Sequence, residues 1–572
     1  MIPLYSCLGT TETVPLAFGT SGRRGLLCHL SQLEIAINVL AELQFLQTLA
    51  ISDGGIVPGD TVYLAYDLRP SSTRLIDTTP KRGELAQAVV WAICQAGMIP
   101  CNLGAIPTPA LACHALAEGK ASIMVTGSHI PFDRNGYKTC TATGELGKAQ
   151  EAPITRQVAR VRECFYAESA DTSAFGADGQ FKVGSQPLPP LRADATRRYR
   201  QRYLEFFGTK ALSGLNLLVY QHSAVGRELL PEILTGLGAR VVTTGRSETF
   251  IPIDTENLDQ ARLETLQSLH DQVAGGIRFD AVVSTDGDSD RPLLLGVEAD
   301  TGRLRFLPGD LLGLLTAQYL QADALVVPIS CNDAVDRSPL NTVLQPKTRI
   351  GSPYVIAGME QALLEGKRRV CGFEANGGFL TATDIEHDGR TLEALPTRDA
   401  VLPLVTVLAS SHQQGLSVLA ASRQLPQRYG HAALIANFPR EQGQSLIRCY
   451  TPFDPPLQTV MKHGTEWVGI GQKGLKHTLS AEAQDRIGQT VTRLSRLFGS
   501  GLGFGELESI DGLDGLRLGF SNGDVAHIRP SGNADELRIY AVAATEARAL
   551  QITTLAVAEP DGLLRRLASP DP

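Results

Sequence analysis

The sequence predicts a chain of several α/β domains, and three observations carry that prediction. The first is length: 572 residues exceed what one hydrophobic core organises, so three to five domains of about 100 to 200 residues are expected. The second is a recurring order of apolar strand, polar turn and helix, met three times along the chain. The third is composition, 43% apolar and 20% charged, which suffices to bury several sizeable cores.

The elements follow in order. FGTSGRRG, Phe18 to Gly25, is a glycine-rich stretch whose Arg23 and Arg24 suit contacts with an oxyanion. Thr61 to Pro70, TVYLAYDLRP, reads as a strand ending at Asp67, Arg69 and Pro70, with a helix over Lys81 to Ala96 and a strand over Cys101 to Ile106 before the Pro107-Thr108-Pro109 break. In ASIMVTGSHIPFDRNGYK, residues 121 to 138, Ile123 to Val125 end a buried strand, and Gly127, Pro131 and Asn135-Gly136 turn it into a loop. Ser128 therefore sits at a strand-to-loop junction, where open α/β sheets keep their ligands, and His129 and Lys138 share its loop. Asp171 to Leu191, rich in Gly, Ala, Ser and Pro, reads as a surface excursion before a helix over Arg192 to Phe207. The grammar returns with a strand at Leu215 to Tyr220, a helix at Glu228 to Leu237 and a strand at Arg240 to Thr244. It returns again with the strand Ala324 to Ile329 and the polar turn Ser330 to Asp333.

Three later stretches carry chemistry. In DAVVSTDGDSDR, Asp280 to Arg291, an apolar strand runs into Asp286, Asp288 and Asp290, with Gly287 allowing a tight turn. Carboxylates at alternate positions of a turning loop can converge on one hard cation, and oxygen-only ligands favour Mg²⁺ over Zn²⁺. In VCGFEANGGFL, Val370 to Leu380, Glu374 and Asn376 pair a carboxylate with an amide, a combination suited to vicinal sugar hydroxyls. In RPSGNADELRIY, Arg529 to Tyr540, the Arg529 guanidinium, Ser531 and the amides of Gly532 and Asn533 suit a phosphate dianion. Each stretch alone would pass as an ordinary turn; together they supply the parts of a phosphoryl-transfer site.

Composition also excludes classes of function. Lys and Arg number 52 against 60 Asp and Glu, a formal charge of −8 with no strongly basic run, which disfavours a nucleic-acid or anionic-membrane partner. The first Arg is Arg23, no charged region precedes an apolar core at the N-terminus, and no apolar stretch approaches about 18 residues, so neither a secretory signal nor a membrane span is expected. Ten cysteines without metal spacing point to free, mostly core thiols in a reducing compartment, the cytoplasm.

In order and spacing, the four stretches resemble the α-D-phosphohexomutase superfamily, which includes bacterial phosphomannomutases and phosphoglucomutases. TGSHIPFDRNGYK resembles its phosphoserine loop, DGDSDR its metal loop, GFEANGG its sugar loop and RPSGNADELRIY its phosphate loop, while FGTSGRRG and YDLRPSS resemble its N-terminal signatures. The resemblance implies an α/β fold of three related α/β domains with mixed sheets plus a C-terminal α+β domain around a central cleft, divided at 1–205, 206–309, 310–428 and 429–572. It implies that Ser128 carries a phosphoryl group, that a phosphate oxygen joins Asp286, Asp288 and Asp290 around Mg²⁺, and that His129, Lys138, Arg24 and Arg291 surround that phosphate. Glu374 and Asn376 would hold sugar hydroxyls, and Arg529, Ser531, Gly532 and Asn533 the phosphate already on the substrate. Lys138 is the first nominee for proton acceptor, should cationic neighbours depress its pKa. Gly378 stands where many bacterial relatives carry His, with His387 nearby in sequence. The implied reaction interconverts hexose 6-phosphate and hexose 1-phosphate through hexose 1,6-bisphosphate, with mannose phosphates first and glucose phosphates second. A non-catalytic sugar-phosphate scaffold is the contending class.

Overall fold

Three α/β layers and one antiparallel sheet make up the chain in a computed structural model, which describes residues 2–77, 81–256, 258–451, 453, 457–471, 475–531 and 535–569. They fall into two units, one formed by Met1–Ala324 with Ser352–Ser422 and the other by Leu325–Gly351 with Arg423–Pro572.

In the first unit, the first sheet has the strand order Arg23–Leu26, Arg134–Cys140, Ser122–Val125, Thr61–Tyr66, Ile99–Ala105. Thr61–Tyr66 runs parallel to both its neighbours, and the remaining pairs are antiparallel. Val62 to Ala65 are all buried, as expected of a parallel strand with both faces covered. Helices Gln32–Leu46, Leu85–Gln95 and Lys148–Ala167 share that core through Ile35, Val39, Leu43, Val89, Ile93 and Ile154. The first of these helices starts where Ser31 Oγ accepts the Glu34 N–H at 3.1 Å, an N-cap.

The stretch from Asp171 to Leu191 runs mostly at the surface, as read, but two of its side chains anchor it in the core. Phe175 and Phe181 are buried against Trp91 at centroid distances of 5.2 and 5.7 Å, and the Phe181 N–H donates to Gln32 Oε1 at 2.9 Å. Its small-residue composition concealed two aromatic anchors. The ten thiols also depart from expectation: none is disulfide-bonded, but only Cys101, Cys113, Cys331 and Cys371 are buried.

The second sheet repeats the sense of the first: Arg240–Arg246, Asn216–His222 and Ala281–Thr285 are parallel, followed by antiparallel Pro292–Val297 and Leu304–Leu307. In the third layer Val370–Phe373, Phe379–Thr381 and Leu395–Asp399 run antiparallel. The expected strand from Ala324 is shorter, ending at Val326. One kind of hairpin recurs in all three layers. Its strands close at the pairs Val125 with Tyr137, Thr285 with Pro292, and Phe373 with Phe379, and the intervening loops hold Ser128, the three aspartates, and Glu374 with Asn376. The repeat that sequence identity left unproven is thus a repeat of topology.

The second unit is α+β, with an eight-stranded antiparallel sheet in the order Tyr429–Ala436, Glu536–Ala543, Val525–Pro530, Leu516–Phe520, Leu507–Asp511, Thr459–His463, Glu466–Ile470, Lys476–Thr478. Leu537, Ile539 and Ala541 alternate into a core with Leu494, Phe498 and Ile552 from helices Ala481–Leu497 and Glu546–Val557 and the residue that follows the first of them. Among the described residues, no helix is long and apolar enough to cross a membrane.

Candidate active site

Ser128 is buried and has a left-handed backbone, φ 52°, which side-chain-bearing residues adopt at a cost. Its surroundings hold it there. The Ser128 N–H donates to Thr126 Oγ1 at 2.7 Å, and its carbonyl accepts from Arg69 Nη2 at 3.0 Å. Arg69 also donates to the carbonyls of Ile130, Pro131 and Arg134, so one buried guanidinium organises the loop. Its plane lies 3.9 Å over the Phe250 ring. Asp67 completes the frame by accepting from Thr126 Oγ1 and Ser72 Oγ, both at 2.8 Å. Arg69 packs so closely that a Cβ at Gly127 would sit 2.5 Å from its Nε.

The Ser128 hydroxyl donates to Asp286 Oδ2 at 2.7 Å and lies 3.4 Å from His129 Nδ1. Asp286, Asp288 and Asp290 are buried, and one carboxylate oxygen from each falls within 4.8 Å of the others. Lys138 Nζ donates to Asp288 Oδ2 at 2.9 Å and Asp290 Oδ2 at 2.7 Å. Thr108 binds Asp288 twice, its hydroxyl to Oδ2 at 2.8 Å and its N–H to the carbonyl at 3.0 Å. Asp288 Oδ1 and Asp290 Oδ1 are buried without a hydrogen-bond partner. Buried carboxylate oxygens require compensation, and three hard oxygen donors at this spacing fit a divalent cation.

Electrostatics favour the same reading. Burial and then repulsion by Asp288 and Asp290 push the Asp286 carboxyl well above its usual range. Burial opposes charge on Asp290 as well, yet Arg398 and Lys138 hold it well below that range. Burial together with the Arg291 and Arg24 charges keeps the His129 imidazole well below its ordinary value and neutral. Burial and the Arg291 charge push Arg24 down to about 10. Burial would lower the Lys138 ammonium, but Asp288 and Asp290 hold it above its ordinary value.

Glu374 and Asn376 are buried on the third hairpin. Glu374 Oε2 accepts from Arg398 Nη1 at 2.8 Å, while Asn376 Oδ1 accepts the Gly378 N–H at 3.0 Å. Arg398 also donates to Asp290 Oδ2, from Nη2 at 2.8 Å. His387 lies in a separate hairpin against Tyr319, 4.4 Å between centroids. In the second unit, Arg529 Nε donates to Asp514 Oδ1 at 3.0 Å, and the Ser531 N–H to the Glu536 carbonyl at 2.9 Å. Gly532 and Asn533 lie outside the described residues.

Comparison with known proteins matches residues 15–164 to "Phosphoglucomutase/phosphomannomutase, alpha/beta/alpha domain I" and 308–429 to domain III of the same description. A phosphomannomutase of Sinorhizobium fredii is 37% identical over 525 residues, 91% of this chain and 94% of that protein. The chain belongs to the phosphoglucomutase/phosphomannomutase family. A second member of the family, the phosphomannomutase of Salmonella muenchen, is 32% identical over 549 residues, 96% of each chain. Among solved structures, a phosphoglucomutase/phosphomannomutase family protein from Burkholderia thailandensis shares the fold at TM-score 0.60 and 17% identity, covering 100% of this chain and 99% of that one.

For this family member, sequence reasoning assigned no role to Arg69, Thr108 or Arg398. Arg69 and Thr108 stood in stretches read as a strand end and a break, and Arg398 carried no motif at all. The signal available was a polar or charged residue beside proline or at a strand end, too common to single them out.

Proposed function

We propose that the chain interconverts hexose 6-phosphate and hexose 1-phosphate, with mannose phosphates preferred, through a phosphoserine at Ser128 and hexose 1,6-bisphosphate. The observation that carries the reading is the 2.7 Å hydrogen bond from the Ser128 hydroxyl to Asp286, within a cluster of three buried carboxylates. A scaffold protein has no use for a nucleophile so placed.

Asp286, Asp288 and Asp290 would hold Mg²⁺ together with an oxygen of the group on Ser128. When bound, that ion supplies neutralisation of charge on the transferred phosphoryl oxygens. In the forward step the bond from phosphorus to Ser128 Oγ breaks as one forms to the free hexose hydroxyl, and the hydroxyl proton is taken up within the site. Lys138, an ion-paired ammonium, would help neutralise the phosphoryl group, with Arg24 and Arg291. Lys138 and the neutral His129 ring, whose Nδ1 lies 3.4 Å from Ser128 Oγ, are the two candidates to accept that proton. The bisphosphate then turns round and its other phosphate returns to Ser128. Glu374 and Asn376 are assigned to sugar hydroxyls, and Arg529, Ser531, Gly532 and Asn533 to the phosphate the substrate brings.

The four-domain division at 1–205, 206–309, 310–428 and 429–572 belongs to the same proposal. So does a cytoplasmic setting with a small hexose phosphate as partner, which the charge of −8 without a basic run supports over nucleic acid. Mannose preference is supported by the two phosphomannomutase relatives at 37% and 32% identity. The deciding experiment compares kcat/KM for mannose 1-phosphate, glucose 1-phosphate and glucosamine 1-phosphate. Higher kcat/KM for glucose 1-phosphate would replace the mannose assignment, and no turnover of any of them would end the mutase reading.

A further inference from the structure

We infer that Arg398 is a positioning residue that ties Glu374 to Asp290, so that the geometry of the sugar loop is set by the metal loop. The inference rests on the roles proposed above for those two carboxylates. Arg398 is 2% exposed, and its guanidinium divides between them. Nη1 donates to Glu374 Oε2 at 2.8 Å and to Ser352 Oγ at 3.1 Å, while Nη2 and Nε donate to Asp290 Oδ2 at 2.8 and 3.1 Å. Among the described ion pairs, it is the one that joins the two loops. Planar, forked donors hold two acceptors in fixed relative position, which a point charge cannot do.

The backbone under Arg398 is anchored from the opposite side. Leu395–Asp399 is a strand, so Arg398 and Asp399 point to opposite faces. Asp399 accepts from the Tyr199 hydroxyl at 2.6 Å, from the Tyr203 hydroxyl, and from the Val401 N–H at 2.9 Å. Next to it, the Thr397 and Ser352 hydroxyls both donate to Glu145, at 2.7 and 2.6 Å.

The sugar loop is shaped around the same side chain. A Cβ at Gly378 would lie 2.6, 2.7 and 2.9 Å from Arg398 Cδ, Cγ and Cβ, so the loop carries no side chain where the arginine stem passes. With Oε2 of Glu374 bound to the guanidinium, the orientation of the carboxylate is set before a sugar arrives. Pre-set geometry of this kind is what a positioning residue contributes to binding and turnover.

The test is a double-mutant cycle on the full chain, with Arg398→Ala, Arg398→Lys, Glu374→Gln and the two combinations. The readouts are calorimetric binding of mannose 1-phosphate and, separately, KM and kcat. Arg398→Ala is expected to weaken binding about 10-fold or more. In the Glu374→Gln background the same substitution is expected to cost less than about twofold. Arg398→Lys is expected to recover only part of the loss, since the ammonium reaches one carboxylate. If Arg398→Ala does not fold, Arg398→Lys carries the cycle under the same criteria. Wild-type binding in these variants, or an equal loss in both backgrounds, overturns the inference. Wild-type turnover with equal losses sinks this inference alone, whereas a wild-type chain that neither binds nor turns over a hexose phosphate sinks the mutase reading with it.

Discussion

A hydroxyl 2.7 Å from a buried carboxylate, as at Ser128 and Asp286, has its proton already directed. Ser128→Ala is expected to abolish covalent gain of phosphate from hexose 1,6-bisphosphate by intact mass and to cut kcat by about 10³-fold or more. Asp288→Ala removes one of the two carboxylates that anchor Lys138 and a donor of the cation cluster. It is expected to weaken Mn²⁺ binding, read by paramagnetic relaxation, about 10- to 100-fold while the far-ultraviolet circular dichroism stays unchanged. Full activity in that variant would remove the loop from the mechanism. A third residue contributes to acid stability, as does His222, which burial likewise pushes down to about 4. Burial pushes His527 down to about 4, and its Nε2 lies 2.7 Å from the Asp514 carbonyl. Because the folded pKa lies below the ordinary 6.5, the unfolded chain binds the extra proton. The stability His527 confers is therefore complete above about pH 6.5 and lost as pH falls toward 4, about 2 kcal/mol by pH 5. Thermal midpoints measured from pH 7 to 5 should fall less steeply in His527→Gln. The same steepness in the variant would assign the acid limb to other groups.

The functional unit at the scale of elements is the hairpin that recurs in three sheets. Strand and tight loop were legible in the sequence because Gly and Pro punctuate apolar runs locally, as at Gly127, Pro131 and Gly287, whereas the antiparallel return that closes each hairpin was not. What holds the loops was not legible: Arg69 reaches the carbonyls of Pro131 and Arg134 from another strand end. The first two hairpins meet closely, and a Cβ at Gly287 would lie 2.6 Å from the Ser128 carbonyl. Gly287→Ala is therefore expected to separate the metal loop from the nucleophile, lowering kcat at least about 10-fold with a smaller change in KM. Unchanged kcat would show that the loops tolerate the shift.

At the scale of the molecule, the chain passes between its two units rather than filling them in sequence. Leu325–Gly351 belongs with Arg423–Pro572. There, Arg428 Nε donates to Asp333 Oδ1 at 2.7 Å, Asn332 Nδ2 to the Arg428 carbonyl at 3.0 Å, and the Ile350 N–H to Asp514 Oδ2 at 2.9 Å. Arg428→Met removes the buried one of the two arginines on Asp333 and leaves the half-exposed Arg337, whose Nη2 lies 3.0 Å from Asp333 Oδ2. Loss of one charge-assisted hydrogen bond costs about 1.5 to 3 kcal/mol and should lower the unfolding midpoint of this unit in hydrogen exchange. An unchanged midpoint would show that Arg337 alone compensates Asp333.

The sequence by itself determined which groups are offered to a site and in what order: Ser128, the three aspartates and the Glu374–Asn376 pair each lie within a few residues of a turn that local chain geometry dictates. Tertiary structure alone decided which of them touch. Thr108 meets Asp288 across 180 residues and Arg398 meets Asp290 across 108, and no local period or propensity encodes contacts at such separations. It likewise placed Lys138 between Asp288 and Asp290, which hold its pKa up, because the electrostatics of a buried group depend on its neighbours in space and not on its neighbours in the chain.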